Sequence, residues 1–147
     1  MVAIRRILVP TDFSDPADAA VRYGRAMAEE FGSTLYLLHV VPEPFVYPWG
    51  TEISTMPLVD LLTQSEQQAG ARLKALAAES TTLKEPVRTA TSIGTPVDRI
   101  LQFIADEGID LVVLGTHGRG AVGHLLLGSV AERIVRRSPV PVLTVKQ

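Results

Sequence analysis

The chain has 147 residues, 46% of them hydrophobic and 20% charged, with a formal net charge of -2. That length fits a single domain, residues 1–147, able to bury roughly 70% of the surface its unfolded form would expose, and the near-balanced charge gives no general affinity for nucleic acid or anionic lipid. The absence of cysteine excludes disulfides, thiolate catalysis and zinc–thiolate sites, and fits a reducing cytosol.

The opening residues MVAIRRILVP carry two arginines, but the apolar run after them is short and reaches Asp12 almost at once. A signal peptide or membrane span is therefore not expected, and the expected location is cytoplasmic. Ile4 to Pro10 reads as a strand buried on both faces, because Ile7, Leu8 and Val9 are consecutive rather than alternating. Asp12 then falls at its C-terminal tip. A helix follows, with Asp15 as expected N-cap, Pro16 at the first helical position and Asp18 in the first turn. Ala20, Val21, Gly24, Met27, Ala28 and Phe31 give it one apolar face, and Gly32 is its stop.

Thr34 to Val41 is a second two-sided strand. The segment from Glu43 to Pro57 has three prolines and the chain's one tryptophan, and reads as a long irregular connection. Phe45, Tyr47 and Trp49 in it suit a lid, a partner contact or the cover of an exposed core edge. Leu58, Leu62, Ser65, Ala69, Leu73 and Leu76 mark a long second helix, with Glu66, Gln67, Arg72 and Lys74 facing water. Val87 to Ser92 alternates and is expected at a sheet edge. Thr95, Pro96 and Asp98 repeat the cap, proline and acid pattern, opening a helix through Val97, Ile100, Leu101 and Ile104 that stops at Gly108.

Asp110 to Gly115 is the most hydrophobic strand, and a last helix from Ser129 to Arg137 is expected to turn Val130, Ile134 and Val135 inward. Pro139 to Val145 is a fifth strand, placed at an edge because proline lacks an N–H. The alternation predicts an α/β fold: one open five-stranded parallel sheet with helices on both faces, a Rossmann-like three-layer sandwich. Ligands in such sheets sit beyond the C-terminal strand ends where the strand order reverses.

The stretch IDLVVLGTHGRGAVGHLLLGSV, Ile109 to Val130, runs from an apolar strand into a glycine-dense loop and then a helix start. Glycine lets main-chain N–H groups approach an anion, and a helix opening at Ser129 would add its unpaired N–H groups and the positive end of its dipole. Gly118, Gly120 and Gly123 match G-x-G-x-x-G, but they follow the fourth strand rather than the first, and no acid lies where a ribose would need it. A Walker A loop is absent. His117 and His124 lack a supporting ligand cluster, so no metal site is assigned, and His39 reads as a hydrogen-bonded core histidine.

A second spacing is Gly115-x-x-Gly118, nine residues, then Gly128-Ser129. With Pro10-Thr11-Asp12-Phe13-Ser14 after the first strand and His39-Val40 closing the second, the chain resembles the universal stress protein family over essentially its full length. The resemblance implies the family's adenine nucleotide alpha hydrolase-like fold and its ATP-binding branch. Asp12 and Val40 would then hold adenosine, with Pro10, Thr11 and Leu114 lining the pocket. Gly115, Gly118, Gly128 and Ser129 would carry the ribose and phosphates. Arg119 could reach a terminal phosphate or stay solvated, and Asp12 could equally serve as a helix-capping group.

The expected cofactor is ATP with Mg2+, and the expected activity is nucleotide-dependent regulation in stress response through an unidentified protein partner, within a homodimer paired along the last strand. Neither a nucleic-acid nor a membrane partner is expected. No carboxylate or glutamine near the glycine loop could position water, so at most slow intrinsic ATP hydrolysis is expected, with no catalytic residue. A nucleotide-independent dimeric interaction module is the alternative.

Overall fold

The computed structural model describes residues 1–43, 57–116 and 127–146. Along these residues strand and helix alternate: β1 (Arg6–Pro10), α1 (Asp15–Phe31), β2 (Thr34–Val41), α2 (Leu58–Ala78), β3 (Arg88–Ile93), α3 (Pro96–Glu107), β4 (Leu111–Gly115), α4 (Ser129–Arg137) and β5 (Val142–Val145). The strands form one five-stranded sheet in the order β3-β2-β1-β4-β5, every neighbouring pair parallel. The chain thus winds outward from β1 in one direction, then returns to start again at β4. The order reverses between β1 and β4, the position where an open parallel sheet leaves a crevice at its C-terminal edge.

Strand alternation divides the core in two. Ile7, Val9, Leu35, Leu37, Leu111 and Val113 pack with Ala20, Val21 and Ala28 of α1 and Leu73 of α2. Leu8, Tyr36, Leu38, Val112 and Leu114 pack on the opposite face with Val97, Ile100 and Ile104 of α3 and Ile134 of α4. This explains the unbroken apolar runs in β1, β2 and β4, since both faces of these strands are covered. On the first face α1 lies very close to the sheet: a Cβ on Gly24 would stand 2.5 Å from Cγ2 of the fully buried Val9. Val9 is β-branched and stiff, so glycine sets the helix-to-sheet distance there.

At the N-terminal edge, one carboxylate joins β1 to β4. Oδ2 of Asp110 accepts the N–H groups of Arg5 and Arg6, both at 2.9 Å, and the Asp110 N–H donates to the Arg6 carbonyl. Gly32 and Gly108 end α1 and α3 in the left-handed conformation, with φ of 64° and 60°, as their positions in the sequence suggest.

Several local expectations are corrected. The α1 cap is Ser14, whose Oγ accepts the Ala17 N–H, and Asp15 is the first helical residue. Thr95 stands at the α3 N-cap without a side-chain cap bond. Val135 and Phe31 are exposed rather than inward, Val135 because Ala131 and Ile134 already define the buried stripe of α4. β5 is an edge strand as expected, but it starts at Val142, so Pro139 and Pro141 precede it, and the Pro141 carbonyl accepts the Val112 N–H. The aromatic side chains of Phe45, Tyr47 and Trp49 lie outside the described residues.

Candidate functional site

The site is built from the C-terminal ends of β1, β2 and β4. Leu8 pairs with Tyr36 of β2 and with Val112 of β4, and two residues further along the strands come Pro10, Leu38 and Leu114. Alternation directs these, together with Val40, to the face covered by α3 and α4; Val40 and Leu114 belong to that core cluster. Pro10, Val40 and Leu114 are all buried, so the strand ends beneath the C-terminal edge are apolar.

The connection after β1 is tightly specified. The Thr11 N–H continues the ladder to the Leu38 carbonyl at 2.8 Å. Thr11 Oγ1 accepts the Phe13 N–H and Asp12 Oδ1 accepts the Ser14 N–H, each at 3.0 Å. These two side-chain turns fold the backbone back so that Ser14 can cap α1. Asp12 is therefore not the cap itself. It shapes the turn that presents the cap, and it is half-buried at the sheet edge.

The end of β4 meets this connection directly. A Cβ on Gly115 would lie 2.6 Å from the Pro16 carbonyl oxygen and 2.7 Å from the Pro16 carbonyl carbon, so the first turn of α1 rests on the Gly115 backbone. The absence of a side chain at 115 thus has a packing reason. Beyond it, buried Thr116 ties β4 to β5 and α4: its N–H donates to the Val145 carbonyl at 3.0 Å, and its carbonyl accepts the Gly128 N–H. Gly128 occupies the N-cap of α4 without any side-chain cap bond, and Ser129 is the exposed first residue of the helix. Asp12, Gly115, Gly128 and Ser129 are thereby brought to one edge of the sheet through two contacts, Gly115 on Pro16 and Thr116 to Gly128. Gly118 and Arg119, and with them His117, Gly120, Gly123 and His124, lie outside the described residues.

The described part of the sequence pattern, Asp12, Val40, Gly115, Gly128 and Ser129, thus lies at one edge of the sheet. The sequence model of the universal stress protein family matches residues 3–146. The chain belongs to the universal stress protein family. Among curated relatives, a universal stress protein of Methanocaldococcus jannaschii is 34% identical over 144 residues, covering 97% of this chain and 82% of the relative. The solved structure of universal stress protein UspA from Lactobacillus plantarum superposes with a TM-score of 0.86 at 26% identity, covering 99% of both chains. Two further family structures carry nucleotides. One was solved in complex with cAMP (TM-score 0.68, 24% identity, 97% of both chains), and one from Arabidopsis thaliana with AMP bound (TM-score 0.65, 20% identity, 97% of this chain and 92% of that one). At those identities the likeness is one of fold.

Three residues at this edge were not assigned to the site from sequence. Phe13 has φ of 63° and is, among the described residues, the one non-glycine residue with positive φ. Its ring centroid lies 4.7 Å from that of His39, and the guanidinium carbon of Arg72 stands over it at 4.0 Å. His39 Nδ1 is 2.7 Å from the Thr11 carbonyl oxygen. A carbonyl only accepts, so Nδ1 carries the proton. His39 is hydrogen-bonded as expected, but it is half-buried rather than in the core, and its partner is the backbone of the site itself. Only the His-Val dipeptide at the end of β2 signals this in the sequence; nothing there marks Phe13 as left-handed or Arg72 as its neighbour.

Proposed function

We propose that this chain is an adenine-nucleotide-binding regulatory protein of the universal stress family, with ATP and Mg2+ as its occupant. In this reading Asp12 and Val40 hold adenosine, with Pro10, Thr11 and Leu114 lining the same pocket. Gly115, Gly118, Gly128 and Ser129 carry the ribose and phosphates, and Arg119 reaches the terminal phosphate. The observation that carries the reading is the α4 start. Gly128 supplies no side-chain acceptor to the first N–H groups of α4, and it is tied by Thr116 to the strand that contacts the Asp12 turn. Unpaired N–H groups with the positive end of a helix dipole favour a phosphate, while a carboxylate at the other end of the crevice would repel one and accept hydrogen bonds from ribose hydroxyls or a base amine.

Among the described residues, no group of three or more His, Asp or Glu gathers where it could hold a metal ion. Mg2+ would accordingly be held chiefly by phosphate oxygens and water. The reading includes no dedicated catalysis: the nucleotide acts through the segment between Gly115 and Gly128, and its binding alters that of a protein partner in the cytoplasm. Two structures of the same fold hold cAMP and AMP, so the number of phosphates is left to experiment. None of the described helices is long and apolar enough to cross a membrane.

Denaturing freshly purified protein and chromatographing the released small molecules tests this. ATP is the expected species. Recovery of AMP or cAMP alone would keep the adenosine half and displace ATP, and no released nucleotide together with no heat of binding on ATP titration would favour the nucleotide-independent module. The proposal also pairs two chains through β5, an edge strand whose half-buried Val142 and Leu143 would otherwise lie beside open backbone groups. Size-exclusion chromatography with light scattering should give a two-chain mass at micromolar concentration; a one-chain mass removes the dimer.

A further inference from the structure

We infer that Arg72, Phe13 and His39 form a clamp that holds the turn after β1 in the conformation aiming Asp12 at the crevice, so that His39 and Arg72 are positioning residues for nucleotide binding without touching the nucleotide. The functional half rests on the nucleotide reading above, whereas the structural half concerns the free protein.

The left-handed conformation is steeply unfavourable for an aromatic residue and natural for glycine. Phe13 nevertheless occupies it at φ 63°. Its own turn offers two hydrogen bonds in return, from Phe13 N–H to Thr11 Oγ1 and from Ser14 N–H to Asp12 Oδ1. Turns of that type form readily without forcing an aromatic residue to positive φ, so something else must select the conformation. The ring supplies it. Phe13 packs against the core on the α1 and α2 face, beside the His39 ring and under the Arg72 guanidinium.

His39 contributes twice, by ring contact with Phe13 and by its Nδ1–H bond to the Thr11 carbonyl, which fixes the peptide immediately before Asp12. Arg72 is anchored by its helix: the adjacent Leu73 is fully buried, and Glu66 of α2 accepts the hydroxyl of Thr91, the residue that pairs with His39 across β2 and β3. Two elements that supply no ligand contact other than Val40 therefore grip the residues on either side of Asp12. A carboxylate flanked by a fixed peptide and a captured ring keeps one direction, and a ligand pays no ordering cost to find it.

The test uses the full chain and four variants. His39→Phe keeps a ring of similar size and loses the donor. His39→Asn restores a donor, because the asparagine amide nitrogen can stand where Nδ1 stands. Arg72→Ala removes the cation from an exposed helix position without opening the core, and Arg72→Lys partly restores it.

The first readout is amide hydrogen exchange of Phe13 and Ser14 in the nucleotide-free protein. His39→Phe and Arg72→Ala should each raise it to nearly the rate of an unprotected amide, with Val9 and Leu37 unchanged and with His39→Asn and Arg72→Lys closer to wild type. The second is calorimetric titration with ATP and Mg2+. If the competent turn falls to about a tenth of the population, the apparent Kd rises about tenfold. Unchanged exchange at Phe13 and Ser14 in both losing variants overturns the clamp. Raised exchange with wild-type ATP affinity overturns its role in binding. Raised exchange in a protein that binds no ATP supports the clamp and rejects the nucleotide reading instead.

Discussion

Alanine at Gly115 is expected to lower the melting temperature by about 10 °C and to remove nucleotide binding with it. The added Cβ would sit 2.6 Å from the Pro16 carbonyl oxygen, 2.7 Å from the Pro16 carbonyl carbon and 3.1 Å from the Ala17 nitrogen. All three are backbone atoms, so no side chain can rotate away. Normal van der Waals contact needs the first turn of α1 to retreat by on the order of 1 Å, and overpacking of this kind costs about 3 kcal/mol at its upper end. Alanine's smaller loss of backbone freedom recovers only about 0.5–1 kcal/mol, so the clash wins. The retreating turn carries Ser14 and, through it, the Asp12 carboxylate, so a binding loss should accompany the stability loss. A thermal melt followed by circular dichroism, with and without ATP and Mg2+, reads both. A variant melting within about 2 °C of wild type would mean that α1 is not held against β4 as closely as Gly115 indicates.

Much of this fold was legible because its physics is local. Consecutive branched and aliphatic residues announced strands covered on both faces, and Gly32 and Gly108 marked helix ends, whereas the strand order with its reversal between β1 and β4 comes from the structure. The errors have identifiable causes. Ser14 and Asp15 are both good caps, and which one serves depends on the Asp12 turn, a geometry set by tertiary contacts. The apolar periodicity of α2 continues through Leu58 and Leu62, yet full burial begins only at Ala69. The helix has 21 residues, about 31 Å of rise, against six residues or about 20 Å for the neighbouring β3, so it outruns the strand it packs on.

The candidate site was legible in its residue types more than in its causes. Gly115 reads in sequence as room for a ligand, and its contact with Pro16 gives it a second employment that no spacing reveals. Phe13 was invisible as a special position because an aromatic residue in a turn ordinarily avoids positive φ; only the captured ring explains it. Arg72 was read as a solvated face, which is true of its exposure and incomplete about its contact.

Asp12→Asn separates the two roles that this residue can play. Asparagine keeps an amide oxygen where Oδ1 accepts the Ser14 N–H at 3.0 Å, and it supports the same side-chain turn as aspartate. It loses the negative charge and replaces one acceptor with a donor. If Asp12 serves only to shape the turn, the asparagine variant should bind adenine nucleotide as wild type does. If it accepts hydrogen bonds from adenosine, affinity should fall about 10- to 100-fold, the range for losing a hydrogen bond to a charged partner. We expect the second result, with the nucleotide-free melting temperature within about 1 °C of wild type. Asp12→Ala should match that loss of affinity and also lose about 1 kcal/mol of stability, roughly 3 °C, because the Ser14 bond goes with the carboxylate. The difference between the two variants in the free protein measures the turn, and the loss they share on titration with ATP and Mg2+ measures the ligand contact. Wild-type affinity in Asp12→Asn would reduce Asp12 to a structural residue and remove the adenosine half of the site.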